Sequence, residues 1–212
     1  MERTQSSRRT RCRALLGIAI TVLVGCGSPP EDTRQEPAPA AAAPSLAEMP
    51  EAAPPLKDPA TEARLERVRR SLQQGLDIDK TDPDGRTALM MAAFDGYTEV
   101  VDLLLDHDAE VDRRDDAGRT AIMYASSGPF PQTVELLLRR GADVNRGDTA
   151  EGWTALMLAA AEGHQLVVEV LLRHGAEIEL IDQDGDAAIH HARERKQAHI
   201  VALLESSSRE PG

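Results

Sequence analysis

The chain has 212 residues, 41% of them hydrophobic and 28% charged, with 36 Asp and Glu against 24 Lys and Arg and a formal net charge of −12. That balance argues against nucleic acid or an anionic lipid surface as the partner, because both repel a polyanion. The two cysteines, Cys12 and Cys26, both stand near the N-terminus and leave the rest of the chain without a thiol for a disulfide framework or a metal cluster.

Arg3, Arg8, Arg9, Arg11 and Arg13 form a basic start. Ala14 to Val24 is an apolar run shorter than the ~17–25 residues of a membrane-spanning helix. It ends in Leu23-Val24-Gly25-Cys26. The arrangement resembles the signal peptide and lipobox of bacterial lipoproteins. The resemblance implies that residues 1–25 are removed and that Cys26 becomes a lipidated N-terminus. It also implies a bacterial cell envelope location. Gly27, in place of an aspartate, implies the outer membrane facing the periplasm in a Gram-negative host. The competing reading is an ordinary secretory signal with an incidental cysteine. Ser7-Arg8-Arg9 offers a weaker twin-arginine reading, because polar residues follow it. Loss of Glu2 and the five arginines leaves 35 acidic against 19 basic residues, a net charge of −16. A basic partner fits that charge, and so does solubility alone.

Residues 26–59 read as a disordered tether. Nine of the thirteen prolines lie between Pro29 and Pro59, among Ala, Glu and Ser. No apolar periodicity offsets the entropy of ordering such a segment. At ~3.1 Å per residue a proline-rich spacer of this length reaches roughly 90 Å.

From there the chain repeats. Gly85, Gly118, Gly152 and Gly185 are 33, 34 and 33 residues apart. Each opens a version of one phrase: Asp84-Gly-Arg-Thr-Ala-Leu-Met-Met-Ala-Ala93, Ala117-Gly-Arg-Thr-Ala-Ile-Met-Tyr-Ala-Ser126, Glu151-Gly-Trp-Thr-Ala-Leu-Met-Leu-Ala-Ala160 and Asp184-Gly-Asp-Ala-Ala-Ile-His-His-Ala-Arg193. A period of this size predicts stacked small units with long surfaces rather than a globule around a pocket. Asp82-Pro83-Asp84-Gly85 has turn chemistry, and Thr87, Thr120 and Thr154 stand where a helix needs an N-cap oxygen. Gly96 and Gly163 break the first helix of a unit. The second helix buries Val101, Leu104 and Leu105, then Val134, Leu137 and Leu138, then Val168, Leu171 and Leu172, then Val201 and Leu204. Gly141 and Gly175 end it, and Asp108 stands in for the glycine in the first unit. Leu65, Val68, Leu72, Gly75 and Ile78 match the second half of a unit, so residues 60–80 read as an N-terminal cap.

The phrase resembles the ankyrin family's Asp-x-x-Gly-x-Thr-Pro-Leu-His-x-Ala-Ala-x-x-Gly, over about residues 62–206. The resemblance implies an all-α repeat solenoid, about four full repeats plus an N-terminal half repeat, filling a domain over 60–206 ahead of a disordered tail at 207–212. The family's proline is Ala88, Ala121, Ala155 and Ala188 here, and its histidine is Met90, Met123 and Met157, kept only as His190. The second unit has Ser127-Gly128-Pro129-Phe130-Pro131 in place of the mid-unit turn. The finger before Trp153 is one residue longer.

Family members bind partners through finger tips and the exposed side of the first helices, along a concave face. Carried over, the resemblance implies contacts from Asp84, Arg86, Phe94, Asp95, Arg119, Trp153, Glu162 and Asp184. All five aromatics lie between Phe94 and Trp153, and these two occupy positions the family leaves exposed, as anchors with a polar rim would. The bland alternative packs Trp153 flat over the lengthened finger. Tyr97, Tyr124 and Phe130 read as structural.

Six histidines invite a search for chemistry. His190 and Glu194 are four apart on a helix with His191 and His199 near, but no ligand recurs at a fixed offset, so no metal or other cofactor is expected. No phosphate loop or nucleophile elbow appears, and Ser126 and Ser127 have no base beside them. The expectation is a monomeric, non-enzymatic, membrane-tethered module that binds another protein. A protective role, as antitoxin or in peroxide defence, and a passive envelope spacer are the alternatives.

Overall fold

The computed structural model describes residues 59–208. The signal peptide, Cys26, all but the last residue of the tether and residues 209–212 lie outside the described residues.

Nine helices occur among the described residues: α1 (Pro59–Gln73), α2 (Ala88–Phe94), α3 (Thr98–Asp106), α4 (Ala121–Ser126), α5 (Pro131–Arg139), α6 (Ala155–Glu162), α7 (Gln165–Arg173), α8 (Ala188–Glu194) and α9 (Ala198–Ser207). α1 begins one residue ahead of the expected domain. α9 takes Ser207 from the expected tail. Two isolated β-bridges, Gly147 to Thr154 and Ile181 to Ala187, are the only extended pairing among the described residues.

The helices form two layers. α2, α4, α6 and α8 pack in order as an inner row, and α1, α3, α5, α7 and α9 pack in order as an outer row. Each inner helix also packs on the outer helix that follows it. Four full units and a leading half unit result, an all-α solenoid as the period predicts. α1 is the outer helix of the half unit.

The small residues of the repeated phrase explain the close stacking. Ala93, Ala125, Ala159, Ala160 and Ala192 are buried between inner helices. The outer helices bury Val101, Leu104, Val134, Leu137, Val168, Leu171 and Leu204 as expected, whereas Leu105, Leu138 and Leu172, expected on the same face, are only half-buried at the edge of the core. Val201 is only half-buried, because α9 has no outer helix beyond it among the described residues. Gly96, Gly141, Gly163 and Gly175 all have positive φ. So do two residues with a Cβ: Asp108 at 64° and Lys196 at 60°. Lys196 holds the mid-unit turn that Gly96 and Gly163 hold elsewhere, a substitution the sequence reading passed over.

Candidate functional site: fingers and inner-helix face

Each finger is tied by the aspartate that opens it. Asp82 Oδ1 accepts from the backbone N–H groups of Asp84 and Arg86 at 3.0 and 2.9 Å. Asp115 Oδ1 accepts from Ala117 and Arg119 at 2.9 and 2.8 Å. Asp182 Oδ1 accepts from Asp184 and Asp186, both at 2.9 Å. In the lengthened finger Asp148 Oδ1 collects Glu151, Gly152 and Trp153 at 2.9, 2.8 and 3.3 Å.

Neighbouring tips are joined through backbone. Asp116 N–H donates to Asp84 O at 3.2 Å, Thr149 N–H to Ala117 O at 2.9 Å, and Gln183 N–H to Glu151 O at 2.9 Å. These joints engage no tip side chain. Asp84 and Asp184 stand exposed there, and Asp95 is exposed at the end of α2. Glu162, at the corresponding place in the third unit, is half-buried.

The two arginines expected on the rim are not free cations. Arg86 holds Asp82 Oδ2 through Nε and a terminal nitrogen, both at 2.8 Å, and Asp84 Oδ2 at 2.9 Å. The Arg86 hydrogen bond holds the Asp82 carboxyl below the usual carboxylate range. Arg119 Nε pairs with buried Asp115 at 3.0 Å, and its guanidinium lies 4.9 Å from the Tyr124 ring centre. Both arginines build the fingers.

Trp153 also departs from expectation. It is half-buried rather than an exposed anchor, packed against the core, with its ring centre 4.2 Å from that of His191 in the next unit. His191 is itself buried, with Nε2 2.9 Å from Asp182 Oδ2. The indole thus packs on the following unit, an arrangement that differs both from an exposed anchor and from flat packing over its own lengthened finger.

Phe94 is exposed, at 50%. Its ring meets Tyr124 edge-on at 6.1 Å and 88°, a favoured aromatic geometry that holds one ring while leaving its outer face wet. Met91, one turn earlier on α2, is 40% exposed. Sequence reasoning missed Met91. The signal was available: it holds the register of Tyr124, Leu158 and His191, in the one full unit with no inner helix before it.

The remaining aromatics are structural. Tyr124 is buried, and its hydroxyl donates to Asp115. Burial first, and then that bond, push its ionisation well above the ordinary tyrosine value. The Phe130 ring fills the space over Gly96 and Gly128, where an added Cβ would collide with it. Arg64 of α1 covers the Tyr97 ring at 4.1 Å.

Among the described residues no group of three or more His, Cys, Asp or Glu side chains is placed to hold a metal ion. No described helix is long and apolar enough to cross a membrane. The arrangement offers a contact surface: exposed acids along the tips, with Phe94 and Met91 as an apolar spot at the first unit.

No curated protein matches the chain. The family description "Ankyrin repeats (3 copies)" matches residues 60–148 and again 130–210. Ankyrin repeats are generally protein–protein interaction modules, a non-catalytic fold. The two-layer stack, the aspartate-tied fingers and these overlapping matches lead to one conclusion: the chain belongs to the ankyrin-repeat family.

Proposed function

We propose that this protein is a lipid-anchored, monomeric interaction module of the bacterial cell envelope. It binds another protein through the finger tips and the inner-helix face of its first two units. Exposed Phe94, steadied by Tyr124 and continued by Met91, is the observation that carries the reading. Phenylalanine and methionine are both enriched at protein–protein interfaces relative to the rest of the surface. The acidic tips around it suit a partner with a basic rim.

The test is crosslinked capture from intact cells with the full chain. Phe94→Asp should abolish recovery of the partner, whereas Trp153→Ala at the far finger should retain it wherever folding is intact. Equal recovery by Phe94→Asp and the parent would sink this surface. Anchoring is checked separately. Cys26→Ala should release the protein from the membrane fraction and block incorporation of a clickable fatty acid. Deleting the gene and testing growth under peroxide and under bacterial competition separates a protective role from a passive spacer.

A further inference from the structure

The two ends of the inner row are finished differently. α2, α4 and α6 are each followed by another inner helix, and there Met90 and Ala93, Met123 and Ser126, and Met157 and Ala160 are all buried. α8 has no successor among the described residues, and the same register positions hold His190 and Arg193, both exposed. A polar outer face of this kind closes a stack against water.

The first end has no such face. α4, α6 and α8 are each preceded by an inner helix, and the alanines that open them, Ala121, Ala155 and Ala188, are buried. One turn on, Tyr124 and His191 are buried and Leu158 is half-buried. No inner helix precedes α2 among the described residues, since α1 packs on α3 in the outer row. Here the corresponding residues are Ala88 and Met91, apolar and exposed. With Val68 and Leu72 of α1 and Leu76 and Ile78 of the following loop they line a groove of about 540 Å³.

The charges at its border are unequal. Asp82 is held by Arg86 at 2.8 Å, and Asp77 accepts the backbone N–H of Asp79 at 3.1 Å. Arg67 and Lys80 also border the groove, are exposed, and form no ion pair with a described residue.

We propose that the groove takes a short amphipathic helix of the partner protein, seated beside α2 as an inner helix is seated before α4, α6 and α8. This rests on the reading of the chain as a protein-binding module and names the partner's recognised segment. The helices that cover the other three flanks have seven, six and eight residues, ~9–12 Å at ~1.5 Å per residue. A partner helix of that length presents apolar residues at i, i+3 and i+4: a small one against Ala88, larger ones against Leu72 and Leu76. Asp or Glu along one edge meets Arg67 and Lys80. The partner's basic residues fall beyond the groove, toward Asp84 and Asp95. Met91 stands between the groove and Phe94, so both contacts belong to one surface.

The test uses the full chain in intact cells with the photo-crosslinker substitution Leu76→p-benzoylphenylalanine. Mass spectrometry of the product should place position 76 on a partner segment with that apolar spacing and an acidic edge. A synthetic peptide of the crosslinked segment should bind the purified full chain and gain helical circular dichroism on mixing. Arg67→Glu with Lys80→Glu should weaken that binding about tenfold while the protein's own spectrum is unchanged. No crosslink, a product within one chain or between two copies, a segment without this pattern, or affinity indifferent to both charge reversals would overturn the proposal. A retained Leu76 crosslink in Phe94→Asp would sink the Phe94 contact alone, and partner capture that needs Phe94 but never reaches position 76 would sink the groove alone.

Discussion

The Tyr124 hydroxyl donates to Asp115 Oδ2 at 2.6 Å, joining an inner helix to the aspartate that opens its own finger. Asp115 is buried, and its other oxygen holds the turn. Burial alone would raise its pKa; the Tyr124 bond and the Arg119 guanidinium outweigh this and lower it. The carboxylate therefore adds stability above the unfolded aspartate value of ~3.9 and loses it as pH falls through the lower folded value. Asp115→Asn should cost about 1.5–3 kcal/mol at neutral pH, as for other hydrogen bonds to a charged group. The gap to the parent in urea titrations should close below about pH 4. A gap independent of pH would count against the ion pair.

Three threonines at one register position should respond differently. Thr87 and Thr154 accept from the backbone N–H of Met90 and Met157, both at 3.3 Å, and their own N–H groups reach the Met90 and Met157 sulfurs, both at 3.4 Å. Thr120 is fully buried, and its hydroxyl has no partner among the described residues. Replacing Thr87 or Thr154 by Val should cost about 1 kcal/mol, as loss of an N-cap does. Thr120→Val should be neutral or stabilising, because it removes an unsatisfied buried group at constant shape. Thermal melts of the three variants decide this, and equal losses would contradict the capping geometry.

Lys196 and Asp108 are the two non-glycine residues with positive φ among the described residues. The left-handed region costs a residue with a Cβ roughly 1–2 kcal/mol. Lys196→Gly and Asp108→Gly should each raise stability by up to about 1 kcal/mol, after the entropy glycine adds to the unfolded chain. A lower denaturation midpoint in either variant would show that its side chain does more than occupy the turn.

Trp153 is the only tryptophan in the chain, so its emission reports one contact. With the His191 ring 4.2 Å away, His191→Ala should move Trp153 emission to longer wavelength as water reaches the indole. Stability should fall by about 1–3 kcal/mol, since Asp182 also loses a buried partner. Emission unchanged in a folded variant would mean that the rings do not meet in solution.

The stack was legible because its spacing is covalent. Four glycines at nearly one interval fixed the unit, and the Val and Leu rows fixed its buried face. The surface was harder to read, because exposure depends on the neighbouring unit. Trp153 is half-buried by His191, which stands 38 residues on. Arg86 and Arg119 looked free, although an aspartate four residues earlier in each finger was the available signal. Met91 is exposed for lack of a neighbour, which its own residue type does not show.

The hydrogen bonds that join one fingertip to the next run from main chain to main chain. The pitch of the row is thereby separated from the chemistry displayed on it. Pro83, Asp84, Asp116 and Ala117 could be randomised together while the turn aspartates Asp82 and Asp115 are kept, yielding a library whose members differ in what they grip yet share one ruler.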